Sequence, residues 1–227
     1  MREPFVSCIM PTRDRRSFVR AAIECFLQQS YGNSELIILD DGVVKITDLV
    51  ALRKHPSEPP SRIRYIKSTP FKSLGEKRNA CCMVARGEII CHFDDDDWSA
   101  EDRVEDQVKR LLATGAPVTG YSRLLFWDCI KGVACWYRAR VPGYVVGTSL
   151  CYWRDFWRIH RFTDKPREDN EFIRLILGRI ACSSDHRHMV ARIHDCHHAS
   201  PKQNITEIAP RELIPTAFWK NEKLRIS

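Results

Sequence analysis

The chain has 227 residues and a formal net charge of +7, and 44% of its residues are hydrophobic, as in an ordinary globular protein. No stretch approaches the roughly 20 apolar residues that span a bilayer, and the N-terminus lacks the apolar core of a signal peptide. We therefore expect a soluble, cytoplasmic protein whose ten cysteines are free thiols. The basic balance suits an anionic partner, but the dispersed basic residues match no nucleic-acid-binding motif.

Short apolar runs alternate with helical patterns over the first hundred residues. Strands are predicted at residues 5–10, 35–39, 62–66 and 88–93. Helices are predicted at 17–29 with Ser17 as the cap, at 47–54, and at 74–85 with Gly87 in the C-cap, and residues 55–61 form a proline-rich linker. This alternation predicts βαβ units and a mostly parallel sheet.

The pattern changes after residue 97. A helix is predicted at 100–113, antiparallel strands at 118–127 and 133–138, a strand at 145–152, a helix at 168–177 and a last strand at 189–194. The tail after residue 200 has no assignable pattern. The predicted organisation is a nucleotide-binding α/β half at 1–97 and an acceptor-side mixed half at 98–227, in one continuous catalytic domain.

Four consecutive aspartates occupy positions 94–97, directly after a predicted buried strand, and we call them the aspartate run. Adjacent carboxylates repel each other and raise each other's pKa, so a cation is expected there. Mg²⁺ and Mn²⁺ prefer carboxylate oxygens and often share them with substrate phosphates. The alternatives are a solvated acidic turn or a calcium loop, although the usual calcium-loop spacing is absent.

Three loops are expected to meet at the carboxyl edge of the sheet, where ligands bind in open α/β folds. They are residues 11–15, residues 40–42 and the aspartate run. Lys77 and Arg78 lie in a helix that begins close to this edge, where a helix N-terminus favours anions. The glycine patterns of dinucleotide-binding folds and of P-loops are absent.

In combination and in this order, seven segments resemble glycosyltransferase family 2, the A-type nucleotide-sugar transferases. The segments are residues 6–12, 35–42, 75–79, 86–90, the aspartate run, 146–150 and 167–170, and the resemblance covers roughly residues 5–200. It implies the A-type glycosyltransferase fold, in which a Rossmann-like, mostly parallel sheet is joined to a smaller mixed sheet on the acceptor side.

The resemblance also implies a donor site. The residues that would bind the nucleotide are Pro11, Thr12, Arg13, Asp14, Asp41, Lys77, Arg78, Asp94 and Asp95. Asp41 would accept a hydrogen bond from the base, typically uracil. The metal ligands would be Asp94, Asp96 and His194, with the register inside the aspartate run left open. Taken alone, Arg13 and Arg15 are equally typical of solvated charges, and Asp41 of a turn.

Glu168 and Asp169 resemble the family's acidic pair, whose second member is the general base. An inverting transfer needs one carboxylate to take the proton from the acceptor hydroxyl. Asp169 is assigned to this role, with Glu168 as its neighbour or an acceptor ligand. The alternative is that both acids only cap a helix. His197 and His198 depart from the family pattern, so they receive no role.

The leading hypothesis is therefore a metal-dependent, inverting glycosyltransferase that uses Mn²⁺ or Mg²⁺ and a UDP-sugar donor. The acceptor is unassigned: the charge favours an anionic one, and a nucleic-acid acceptor is open. One alternative is a sugar-nucleotide nucleotidyltransferase, although residues 11–15 lack the glycines of its usual signature loop. Others are a non-catalytic nucleotide- or sugar-binding module and a calcium-binding protein.

Overall fold

The computed structural model describes residues 2–51, 62–195 and 205–226, so the predicted linker at 55–61, His197 and His198 lie outside the described residues. The strands are β1 (Val6–Thr12), β2 (Ser34–Asp40), β3 (Ile63–Lys67), β4 (Ile89–His92), β5 (Trp98–Ser99), β6 (Val118–Tyr121), β7 (Arg123–Asp128), β8 (Val133–Arg138), β9 (Cys151–Trp153), β10 (Ile180–Ser183), β11 (Met189–Ile193) and β12 (Ile205–Ala209). The helices are α1 (Arg16–Leu27), α2 (Thr47–Ala51), α3 (Leu74–Val84), α4 (Arg103–Thr114), α5 (Arg154–Ile159), α6 (Glu168–Arg174) and α7 (Thr216–Ile226).

The larger sheet has seven strands in the order β10-β6-β9-β4-β1-β2-β3. Strand β1 is central and pairs in parallel with β2 and β4. Only β9 runs against its neighbours β4 and β6, so β4 and β6 point the same way. The apolar runs of β1 and β2 are fully buried, as expected for strands covered on both faces. The predicted α/β class with a mostly parallel sheet is confirmed.

The smaller sheet has the order β12-β8-β7-β11-β5 and is mixed. The predicted hairpin is present as β7 and β8, which pair antiparallel. The single strand predicted at 118–127 is wrong, because the chain changes sheets at Ser122. The Ser122 amide donates to the Ser183 carbonyl beside the larger sheet, and the Ser122 carbonyl accepts the Ala139 amide beside the smaller one.

Two local predictions are also wrong for reasons visible in the contacts. The strand predicted at 145–152 is replaced by a 3₁₀ turn at Gly147–Ser149, followed by β9. The Ser149 hydroxyl holds this turn by donating to the Val146 carbonyl and accepting the Tyr121 amide. Helix α3 ends in extended backbone at Ala85 rather than in a left-handed glycine cap.

The tail that had no predicted structure forms β12 and α7. Helix α7 packs against α1 and buries Phe218 in the main core, where its ring meets Trp98 edge to face. Strands from both sides of residue 97 build the larger sheet, and the division into two halves at that residue stays a prediction. Across the three described ranges, no helix combines the length and apolar character needed to cross a membrane.

Gly87 is fixed by a close backbone approach rather than by a helix cap. A Cβ at this position would lie 2.4 Å from the Ser7 nitrogen and 2.8 Å from the carbonyl oxygens of Phe5 and Ile89. These atoms belong to the backbone of β1 and β4 and of their approaches, so they cannot move without disturbing the sheet.

We therefore expect Gly87→Ala to lower the free energy of unfolding by at least about 2 kcal/mol, the scale of overpacking at a rigid site. The matched control is Gly32→Ala, because nothing lies within 4 Å of a Cβ at Gly32. Urea unfolding followed by circular dichroism compares the two variants. Equal stability of both variants would contradict the steric assignment.

Candidate active site

The loops after β1, β2 and β4 meet at the carboxyl edge of the larger sheet, because these neighbouring strands are parallel. Pro11 lies in β1 beyond the residues that pair with β4, where its missing N–H breaks no bond to that strand. Thr12 ends the strand and is buried. The three predicted loops are thus brought together.

Asp41, after β2, is buried and surrounded by donors. Arg13 donates to both of its carboxylate oxygens, at 3.1 and 2.7 Å, and Lys77 donates to Oδ1 at 2.5 Å. The Phe71 amide donates to Oδ2 at 2.9 Å. Burial would raise the pKa of Asp41, but these hydrogen bonds outweigh it and lower the pKa, so the group is a carboxylate at neutral pH.

Asp14 has a different position from its neighbours in the first loop. It is exposed, its backbone is left-handed with φ of 53°, and its Oδ1 accepts the amides of Val43 and Val44 at 2.6 and 2.7 Å. These bonds lower the pKa of Asp14. Asp14 therefore holds the loop after β2 against the loop after β1.

Asp95 points back toward the first loop. Thr12 donates its hydroxyl to Oδ2 at 2.6 Å, and Arg15 donates to Oδ1 at 2.9 Å. Burial, and then repulsion from Asp96, raise the pKa of Asp95 to about 7 in spite of Arg15. A bound divalent cation would act in the opposite direction and favour the ionised form.

Asp96 lies between two cationic or hydrogen-bonding partners. Arg15 donates to its Oδ2 at 3.1 Å, and His194 Nε2 lies 3.0 Å from the same oxygen. The His194 ring stacks on Phe18 of α1 at 4.3 Å between centroids. The chain after β11 therefore brings His194 to the aspartate run, as the sequence hypothesis requires.

Arg78, in α3, connects the aspartate run to the acidic pair. Its buried guanidinium forms an ion pair with Glu168 and reaches Asp94 at 3.4 Å. Burial alone would lower the pKa of Arg78, but the negative charges of Asp94 and Glu168 outweigh this effect and raise the pKa. Burial also raises the pKa of Glu168, although Arg78 acts against this.

Asp97 is turned away from the first loop. Thr148 donates its hydroxyl to Oδ2, and the Arg192 amide donates to Oδ1 at 3.1 Å. One oxygen from each of Asp94, Asp96 and Asp97 lies within 4.8 Å of the others. Carboxylate oxygens this close together can share a hard divalent ion once the side chains adjust around it.

Asp169 lies in the first turn of α6, beside the 3₁₀ turn that follows β8 in the chain. A Cβ on Gly147 would fall 1.8 Å from Asp169 Oδ2, so only glycine leaves room for this carboxylate. Oδ1 accepts the amide of Asn170 at 2.9 Å. Asp169 is half-buried, whereas Glu168 is buried, so Asp169 is the more accessible acid.

Arg192, which the sequence interpretation did not assign, holds the backbone of the aspartate run. It is almost fully buried and donates to the Asp96 carbonyl at 3.0 Å, to Glu222 at 2.8 Å and to Asn221 at 3.0 Å. Its guanidinium also lies 4.7 Å from the centre of the Phe218 ring. Helix α7 is thereby tied to the backbone of the site.

The other residues that the interpretation passed over are Arg15, Asp97 and Thr148. The signal for Asp97 was its place in the run, and Thr148 lies in one of the segments that carry the family resemblance. Arg15 had a weaker signal, because nothing in the sequence separates it from the exposed Arg13. Nothing in the sequence indicated a role for Arg192, because its partners in α7 are about 30 residues away along the chain.

Comparison with solved structures defines the class of fold. Staphylococcus aureus TarS 1–349 in complex with UDP-GlcNAc superposes with a TM-score of 0.69 at 15% identity, over 86% of this chain and 60% of that one. Mannosyltransferase PcManGT from Pyrobaculum calidifontis, in complex with GDP-Man and Mn²⁺, gives 0.66 at 16% identity, over 90% and 59%. The protein therefore has the A-type glycosyltransferase fold.

Sequence comparison identifies the family. The model of glycosyl transferase family 2 matches residues 7–129, and the chain belongs to this family. A relative, the putative glycosyltransferase EpsE of Bacillus subtilis, is 32% identical over 152 residues, which are 66% of this chain. The match covers 54% of EpsE, so the chain spans about half the length of that relative.

The Arg192 contacts generate a stability prediction. Arg192→Met removes the buried donors to the Asp96 carbonyl, Asn221 and one oxygen of Glu222, although Arg225 still pairs with Glu222. We therefore expect a loss of about 2 kcal/mol in the free energy of unfolding. The control is Arg187→Met, whose ion pair with Asp185 is 77% exposed on the arginine side. That change should alter stability by less than about 0.5 kcal/mol. Chemical denaturation measures both, and a similar small loss for the two variants would refute the role of Arg192.

Proposed function

We propose that the protein is a divalent-metal-dependent, inverting glycosyltransferase that moves a sugar from a nucleoside diphosphate sugar, with a UDP-sugar as donor, to an acceptor hydroxyl. The observation that carries this proposal is the group of carboxylates from Asp94, Asp96 and Asp97 at the carboxyl end of β4, joined through Arg78 to the acidic pair. Membership of the family favours sugar transfer over sugar-nucleotide synthesis.

The donor set fits a hard cation such as Mn²⁺ or Mg²⁺, because all three side chains offer carboxylate oxygen. When bound, such an ion supplies positive charge that stabilises the leaving diphosphate. Asp94 is the most accessible of the four aspartates, with 19% of its side chain exposed, so it is the natural point of contact with ion and substrate. His194 either orients Asp96 through its contact with Oδ2 or is itself a ligand of the metal ion.

The nucleotide is assigned to the first two loops. Asp41 already accepts four hydrogen bonds, which fill the usual capacity of a carboxylate. A base N–H can bind Asp41 only if one donor leaves. Arg13 is that donor, since 40% of its side chain is exposed while Lys77 is buried. Arg13 is then free to contact the nucleotide.

The structures of similar fold support a nucleotide-sugar donor. TarS binds UDP-GlcNAc and UDP, and PcManGT binds GDP-Man with Mn²⁺. At 15–16% identity these matches leave the base and sugar open. We propose UDP for this chain because the family resemblance implies a uracil N–H at Asp41, whose carboxylate can accept it once Arg13 moves.

Asp169 is assigned as the general base. Its carboxylate takes the proton from the acceptor hydroxyl while that oxygen forms a bond to the anomeric carbon from the face opposite the diphosphate. The bond from the anomeric carbon to the phosphate oxygen breaks, and the nucleoside diphosphate departs with the electron pair. Attack from the opposite face inverts the configuration. Glu168 cannot easily serve, because Arg78 holds it in a buried ion pair.

We also propose that the donor is bound mainly by residues before about 97 and the acceptor mainly by later ones. Asp41, Lys77 and Arg78 lie on the first side of this boundary, and Gly147 and Asp169 on the second.

Metal-dependent nucleotide binding is the first test. Calorimetry should find UDP binding with Mn²⁺ that weakens at least about tenfold in EDTA, and Asp96→Asn should produce a comparable loss in the presence of Mn²⁺. Asp155→Asn, a side chain that is 83% exposed in α5, should bind like the wild type. UDP binding that is equally tight with and without metal would remove the metal from the proposal.

The base is tested separately. Asp169→Asn should keep UDP and Mn²⁺ binding but lower transfer by about 10²-fold or more, because the amide cannot accept the proton. Glu171→Gln, in the same helix and 39% exposed, should retain activity. UDP release and the anomeric proton coupling of the product, measured by NMR with a panel of acceptors, report rate and configuration. Undiminished turnover in Asp169→Asn, or a retained configuration, would contradict the assignment.

A further inference from the structure

A second concave site lies apart from the aspartate run, where the chain passes from the larger to the smaller sheet. It is a cavity of about 320 Å³, and its polar lining comes mainly from Ser122, Arg123 and Arg138. Val141, Pro142 and Gly143 also line it. We call it the arginine pocket.

The two arginines face each other across the hairpin. Arg123 of β7 and Arg138 of β8 are direct partners in the antiparallel register. Like charges directly opposite one another destabilise a sheet. Within residues 2–51, 62–195 and 205–226, neither guanidinium forms an ion pair, and Glu207, which lies opposite Trp136 on β12, does not reach them. An anion held between the two arginines would remove this repulsion.

Arg123 is held in place before any ligand arrives. Its guanidinium lies 3.8 Å from the centre of the buried Trp136 ring, and the His186 ring meets the same indole edge to face at 4.8 Å. Burial, and then the charge of Arg123, lower the pKa of His186, so that imidazole is neutral and does not add to the repulsion. Stacking fixes the plane of the Arg123 guanidinium, and its terminal N–H groups can donate to a planar or tetrahedral oxyanion.

The pocket and the proposed base both lie near the sheet edge that carries the aspartate run. Strands β4 and β6 both run antiparallel to β9, so the end of β6 and the aspartate run share one edge of the sheet, about 10 Å apart at the usual strand spacing. The Val146 amide donates to the Tyr121 carbonyl at the end of β6, and the next residue, Gly147, lies against Asp169. Asp169 is therefore close to the end of β6, which the next residue, Ser122, joins to the arginine pocket.

From this arrangement we infer that the arginine pocket binds a phosphate group carried by the acceptor, and so selects phosphorylated glycans as acceptors. This inference rests on the proposed glycosyltransferase function. A phosphate offers three or more oxygens to the two guanidinium forks, whereas a carboxylate offers only two. Arg123 and Arg138 are specificity-determining residues and take no part in breaking the donor bond.

The test compares glucose 1-phosphate with glucose by calorimetry. It is run once on protein saturated with Mn²⁺ and UDP, which fills the donor site, and once in EDTA without nucleotide. In both conditions the wild type should bind glucose 1-phosphate at least about a hundredfold more tightly than glucose. Arg123→Gln and Arg138→Gln should each weaken that binding about tenfold, and the double variant about a hundredfold.

The charge-matched control is Arg158→Gln, in α5 and outside the pocket, which should bind as the wild type does. Arg123→Gln removes the stack on Trp136 and so destabilises the hairpin. Arg138 is exposed, so Arg138→Gln should fold normally and tests the pocket independently. Arg123→Lys keeps the charge but loses the fork, and should bind with intermediate affinity. Melting temperatures identify any variant that is poorly folded.

Separate outcomes distinguish this inference from the proposed function. If no variant binds UDP with Mn²⁺, the proposed function fails, and the titration in EDTA still tests the pocket. If donor binding is normal but all variants bind glucose 1-phosphate equally, the pocket assignment fails. Inorganic phosphate that binds as tightly as glucose 1-phosphate would indicate a free-phosphate site, and glucuronate that binds as tightly would indicate a carboxylate site. Either result overturns a phosphorylated-glycan acceptor.

Discussion

The fold must stabilise four carboxylates on adjacent residues, three of them buried, at the mouth of one strand. Their mutual repulsion is tolerable because every side chain has a hydrogen-bond donor and Arg15 bridges Asp95 and Asp96. Asp94 faces α3, Asp95 faces the loop after β1, Asp96 faces β11, and Asp97 faces the 3₁₀ turn before β9. Every element that meets at this edge contributes a donor, so the position of each element is linked to the charge of the run.

Each of those partners also connects the run to another part of the proposed chemistry. Arg78 joins it to Glu168 and thus to the helix that carries Asp169. Arg192 joins its backbone to α7, which packs on α1. A change in any one partner therefore alters the geometry of the metal group through ion pairs and hydrogen bonds, without contact with the substrate.

The sequence predicted the parts of the structure that depend on local pattern. The buried runs of β1, β2 and β4 have no exposed face, and a parallel sheet places their ends together, so the three loops and the aspartate run could be located in advance. The hairpin of β7 and β8 also followed from pattern. The general roles inside the site came from the family resemblance, and they stay predictions for individual residues.

The rest depended on contacts between distant residues. Helix α7 had no hydrophobic periodicity to find, because its buried face includes Asn221 and Glu222, which are needed by Arg192. The 3₁₀ turn before β9 is fixed by the Ser149 hydroxyl, and the change of sheet at Ser122 by bonds to two sheets at once. Composition and period carry no information on such partners.

The central claim is that the aspartate run holds a divalent ion against the diphosphate of a nucleotide donor. The most direct measurement is anomalous diffraction at the manganese edge from crystals soaked with Mn²⁺ and UDP. The account predicts one strong peak within coordination distance of Asp94, Asp96 or Asp97 and of the UDP phosphates. Bound UDP with no manganese at these carboxylates, or manganese bound only elsewhere on the protein, would contradict it.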